Sequence, residues 1–257
     1  MSTKIIPSSQ PQVSDLDQPL YTPIKRRSFF MYAGATAGAT ALVLAGCSKS
    51  DSTPGMVSVG SGDAGVLNYA YALEQLEAGF YTALRDGGYY KGLGAGSAEK
   101  LILDDLYYHE VIHRDFFKTA ITAAMATPIK ALTPDFSKID FSTRASVLGT
   151  AKAFEDLGVS AYNGAGQYIT SPTYLYIAGK IVSVEARHAA IIRDLVTENS
   201  FVGNDVITLT SASNSSVTTN NAPANSSLER AMSPSEVVAI ANTFLAEGSK
   251  LDVSGIK

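Results

Sequence analysis

A pattern of glutamates and histidines occurs twice in this chain: Glu74, then Glu110-x-x-His113, and again Glu155, then Glu185-x-x-His188. The first half separates its two glutamates by 36 residues and the second by 30. Residues i and i+3 share one face of a helix, so each Glu-x-x-His can offer a carboxylate oxygen and an imidazole nitrogen to the same ion. Each lone glutamate is followed seven residues later by a tyrosine, Tyr81 and Tyr162, again on one helical face. Two bridging carboxylates, two terminal ones and two imidazoles form a six-ligand shell suited to a pair of first-row ions such as iron or manganese. The chain is thereby constrained to four helices that aim these groups at a common interior.

The residues flanking each glutamate support burial. Glu74 lies on a stripe with Leu67, Ala70, Ala78, Tyr81 and Leu84, and Glu110 with Leu103, Leu106, Tyr107 and Phe117. Glu155 shares its face with Leu148, Ala151, Val159 and Tyr162, and Glu185 with Ile181, Val182, Ala189 and Ile192. A carboxylate on an apolar stripe is costly unless it is paired, hydrogen-bonded or bound to metal. One such residue is unremarkable; four in a repeated order are a site. Glu77, three residues after Glu74, is a further candidate that could replace or join it.

The order Glu…Glu-x-x-His…Glu…Glu-x-x-His resembles the ferritin-like superfamily, and the segment 67–81, LNYAYALEQLEAGFY, is similar to its desiccation-related members. The likeness covers residues 65–199. It implies an all-α, ferritin-like four-helix bundle with a long crossover between the second and third helices. It also implies that Glu74, Glu110, His113, Glu155, Glu185 and His188 are metal ligands for two iron or manganese ions, with Glu110 and Glu185 bridging. Tyr81 and Tyr162 would then orient ligand carboxylates, as outer groups commonly do at metal sites.

The same residues also spell a competing motif. His109-Glu110-Val111-Ile112-His113 matches the His-Glu-x-x-His of zinc metalloproteases, in which both histidines bind zinc and the glutamate is the general base. That reading leaves Glu74, Glu155 and the whole second copy unexplained. In the ferritin-like reading His109 falls one residue off the ligand face, near the site or on the bundle surface.

The N-terminus reads as an address. Lys25-Arg26-Arg27-Ser28-Phe29-Phe30 resembles a twin-arginine export motif, followed by a mildly apolar stretch ending in Leu44-Ala45-Gly46-Cys47, similar to a bacterial lipoprotein box. Residues 1–46 are expected to be removed and Cys47, the only cysteine, lipidated, which places the protein outside the cytoplasm on a bacterial membrane. Its removal takes away four basic and two acidic side chains and moves the formal charge from −4 to −6. That balance, without clustered basic and aromatic residues, argues against nucleic-acid binding. Metal ions and small oxygen species are the expected partners.

Residues 47–63 are polar and rich in glycine and serine, and read as a flexible tether. Helices are expected over residues 63–86, capped by Asp63 and stopped by Gly87-Gly88, then 97–126, 142–168 and 171–198, the last opened by Ser171-Pro172. The proline-containing stretch 128–141 supplies the crossover. In the extension 200–257, residues 206–210 alternate weakly like a strand, 211–227 form a Ser/Thr/Asn loop, and Ser233-Pro234-Ser235-Glu236 opens a final amphipathic helix. That helix is expected to pack on the bundle or on a second subunit of a homo-oligomer. Two functional classes follow: di-metal oxygen, peroxide or ferrous-ion chemistry in stress protection, or a non-catalytic envelope scaffold on the same bundle.

Overall fold

The computed structural model describes residues 53–207 and 228–257. The export motif, Cys47 and the Ser/Thr/Asn tract lie outside these described residues. Four long helices dominate: α1 (Gly62–Asp86), α3 (Ala98–Ala123), α4 (Arg144–Ala165) and α5 (Pro172–Val196). A short α2 (Gly88–Gly92) lies between α1 and α3. The most extensive packing is of α1 on α3 and of α4 on α5, the pairing that a four-helix bundle with a long central crossover requires.

The helix ends show how local sequence sets the boundaries. Ser97 and Ser171 accept from the backbone N–H groups of Lys100 and Tyr174 at the starts of α3 and α5, and Pro172 occupies the first turn of α5. Helix α3 stops three residues earlier than its periodicity predicts. Met125 adopts φ 57°, and Ala126 N–H reaches Ile121 O while Met125 N–H reaches Thr122 O, a Schellman closure made without glycine.

Asp63 does not cap α1. The helix opens after Ser61, and the Asp63 carboxylate accepts from Thr170 N–H (2.7 Å), Thr170 Oγ1 (3.0 Å) and Ser171 N–H (3.0 Å). A residue expected to serve its own helix instead clips the α4–α5 turn onto the start of α1.

The crossover is held by polar side chains of α1 two turns apart. Asn68 Oδ1 accepts from Ile129 N–H and Gln75 Oε1 from Leu132 N–H, both at 2.9 Å. Its aromatic residues Phe136 and Phe141 surround Phe80, which also meets Phe154, and Phe154 meets Phe244 edge-on at 4.8 Å. These contacts bring the extension onto the bundle. The last helix, α6 (Pro234–Ala241), begins with a capping box between Ser233 and Glu236 and buries Val237, Val238 and Ala241 in the main core.

The tether reading is corrected from Val57 onward. Val57–Ser58 is strand β1, paired in parallel with β2 (Leu251–Asp252), and Val57 and Val59 are buried. A strand of two residues has too short a period to announce itself in sequence. Of the strand expected over 206–210, the described part makes a single bridge, Ile207 to Glu229. Beside it Arg193, buried on α5, forks onto Asp156 of α4 at 2.7 Å and onto Asp205 at 2.8 to 3.0 Å.

Candidate metal centre

All six residues of the doubled pattern converge between the four long helices. Glu74 comes from α1, Glu110 and His113 from α3, Glu155 from α4, and Glu185 and His188 from α5. The four glutamates have no exposed surface, and the side chains of His113 and His188 are 12% and 4% exposed. They form two groups of convergent donor atoms, Glu74, Glu110, His113 and Glu185 in one, Glu110, Glu155, Glu185 and His188 in the other.

Glu110 and Glu185 belong to both groups, and each divides its oxygens between them. Glu110 turns Oε1 to His188 Nδ1 (2.8 Å) and Oε2 to His113 Nδ1 (3.7 Å). Glu185 turns Oε1 to His113 Nδ1 (2.8 Å) and Oε2 to His188 Nδ1 (3.5 Å). Glu74 Oε2 stands 3.5 Å from His113 Nδ1, and Glu155 Oε2 3.4 Å from His188 Nδ1. The arrangement has the two-fold symmetry of the sequence repeat.

Every one of these inward atoms is buried without a hydrogen bond of acceptable geometry. The close approaches are therefore donors gathered around common points, not bonds that satisfy one another. Buried lone pairs in such density are expensive unless a cation occupies their focus. Four carboxylates balance the charge of two divalent ions, and oxygen with imidazole nitrogen suits first-row metals. The residues fit metal ions.

Without metal, the histidines carry the compensating charge. Burial opposes it, but the carboxylates of Glu110, Glu185 and Glu74 outweigh burial and push His113 up to about 12. His188 is raised likewise against burial by Glu155 and Glu110. Burial, then the charge of Glu185, drives Glu110 well above the usual carboxylate range.

Each tyrosine serves the opposite half of the repeat. Tyr81 on α1 donates to Glu155 Oε1 and Tyr162 on α4 donates to Glu74 Oε1, leaving the Oε2 atoms to face the two groups. The seven-residue spacing places each tyrosine near its own glutamate in sequence, but the packing of α1 against α4 exchanges them. Replacing Tyr81 or Tyr162 with phenylalanine is expected to weaken metal binding about 10- to 100-fold without unfolding the bundle. Metal titration of the two variants, with circular dichroism as the fold control, checks it.

Glu77 is buried yet stands outside both groups. A Cβ on Gly158 would lie 3.0 Å from Glu77 Oε1, so the absence of a side chain there makes room for it. Gly158 follows Glu155 by three residues, as Glu77 follows Glu74, so the register of the two halves was the signal that could have found it. Burial, then the charges of Glu110 and Glu185, raise the Glu77 carboxyl well above its ordinary range.

His109 belongs to neither convergent group; its Nδ1 lies 2.9 Å from His188 Nε2. Glu110 and His113 of the His-Glu-x-x-His motif therefore face the shared cluster while the first histidine stands behind it.

A family model described as the ferritin-like domain matches residues 62–198, from the first residue of α1 to just beyond α5. The chain belongs to the ferritin-like domain family. No curated protein matches the chain. The stretch assigned to the ferritin-like domain contains all six convergent residues and both tyrosines, and stops short of the extension that carries α6 and β2.

Proposed function

We propose that this ferritin-like protein binds two iron or manganese ions and uses them in oxygen, peroxide or ferrous-ion redox chemistry. Glu110 and Glu185 would serve both ions, with Glu74 and His113 holding one and Glu155 and His188 the other. The observation that carries this reading is the division of the Glu110 and Glu185 oxygens between the two groups. Bound there, the metals would supply Lewis acidity and one-electron chemistry toward a small oxygen species. The chain's own residues orient the donors: Tyr81 and Tyr162 hold Oε1 of Glu155 and Glu74 and thereby present Oε2 inward.

The proposal extends to location. Arg26-Arg27 and the Leu-Ala-Gly-Cys sequence ending at Cys47 support export through a twin-arginine route and lipid anchoring, with a role in oxidative or desiccation stress.

The deciding experiment is elemental mass spectrometry on the protein purified from its native host, followed by peroxide-consumption and ferrous-oxidation assays. About two iron or manganese ions per chain with turnover are expected. Two ions without turnover would leave a structural metal centre in a scaffold, and a single zinc dependent on His109 would restore the protease reading.

A further inference from the structure

The two halves of the site repeat one another, but aligning Glu110 with Glu185 sets His109 opposite Val184. Only one half therefore carries an imidazole immediately before its bridging glutamate. His109 Nδ1 meets His188 Nε2 at 2.9 Å, and with centroids 5.1 Å apart and planes 16° from parallel the two rings lie edge to edge and nearly coplanar, the alignment of an in-plane N–H···N hydrogen bond. His188 thus has both nitrogens engaged, Nδ1 toward the carboxylates and Nε2 toward His109. His113 presents its Nδ1 in the same manner, but among the described residues no hydrogen bond holds its other nitrogen, and its side chain is three times as exposed.

The direction of the His109–His188 bond follows from the site. A nitrogen that ligates a metal carries no proton, so a neutral His188 ligating through Nδ1 must bear its proton on Nε2. That Nε2–H then donates to His109 Nδ1. The partner that a ligating histidine usually finds in a carboxylate or carbonyl is here a second histidine.

We propose that His109 is a positioning residue that fixes His188 in its Nε2–H form and makes the Glu110, Glu155, Glu185 and His188 position the tighter of the two, filled first. The inference rests on the di-metal reading and adds an order of loading to a ligand set that is otherwise two-fold symmetric. His113, untethered and closer to solvent, serves the position that fills second and empties first.

The test compares the full mature protein with His109→Phe, which keeps a planar ring in the same place but has no acceptor, and His109→Gln, which keeps an acceptor. Calorimetric titration of manganese(II) into the metal-free wild type is expected to show two unequal steps. His109→Phe should weaken the tighter step about 10- to 100-fold and leave the weaker one in place, with His109→Gln recovering most of the loss. In the zinc-loaded protein, nitrogen-15 spectra of the histidines should show a His188 Nε2–H that exchanges slowly with water in the wild type and His109→Gln, and rapidly in His109→Phe. Two equal steps in the wild type, or a His109→Phe loss shared equally by both steps, overturns this proposal while leaving the di-metal reading intact. A wild type that binds no manganese, iron or zinc overturns both.

Discussion

Replacing Glu110 or Glu185 with alanine is expected to empty both metal positions, whereas replacing Glu74 or Glu155 should empty one. The difference comes from the division of oxygens. Glu110 and Glu185 each send one carboxylate oxygen to either group, so losing one of them removes a donor from both and would also remove the link between the two ions proposed. Glu74 and Glu155 each contribute to one group. If the wild-type chain holds the two ions proposed, the Glu110 and Glu185 variants should fall close to zero and the Glu74 and Glu155 variants retain about one. Glu77→Ala should keep both, because Glu77 belongs to neither group. Elemental analysis of the five variants beside the wild type reads the result directly. Bridging variants that lose no more metal than terminal ones would contradict the shared-ligand geometry.

The second large effect is on stability: losing metal should destabilise, and removing a buried carboxyl from the metal-free protein should stabilise. Five buried carboxyl groups, Glu74, Glu77, Glu110, Glu155 and Glu185, face two histidines, more acid than two imidazolium charges balance, so without metal folding must leave carboxylate uncompensated or protonate it. Metal bound only to the folded chain contributes about 4 kcal/mol per site when its concentration is about 1,000 times Kd. For a domain of this size each kcal/mol is roughly 2–4 °C in Tm, so removing both ions should lower Tm by about 15–30 °C. In the metal-free protein, Glu77→Gln should act the other way. No hydrogen bond or ion pair holds Glu77 among the described residues, and because its carboxyl is raised well above its ordinary range, folding at neutral pH must protonate it; glutamine avoids that cost and is expected to stabilise the metal-free protein, by more as the pH rises. Calorimetric melting of the wild type and Glu77→Gln, each with and without manganese, tests both halves of the argument. A metal-free Glu77→Gln that melts below the metal-free wild type would sink the charge-excess account.

The convergence of Glu74, Glu110, His113, Glu155, Glu185 and His188 was legible because it rests on local periodicity. A three-residue step within a helix puts Glu110 with His113 and Glu185 with His188 whatever the rest of the chain does, and an apolar stripe around each glutamate turns it inward. The starts of α3, α5 and α6 were legible for the same reason, since a serine cap acts on a backbone N–H only a few residues away. Where a side chain could reach either its own helix or another, sequence spacing favoured the nearer partner, and it was the wrong guide. Asp63 is the plainest case: it binds Thr170 and Ser171, more than a hundred residues away, instead of the first turn of α1.

The sequence by itself determined which six residues converge and the four helices that carry them, because those are properties of single turns and single faces. Only the tertiary structure decided that Tyr81 serves Glu155 and Tyr162 serves Glu74, that Gly158 opens space for Glu77, that His109 backs His188, and that Val57–Ser58 closes onto Leu251–Asp252. Each of these joins segments that are remote in the chain, and such pairings are set by which helix faces pack together, a choice that no local period encodes.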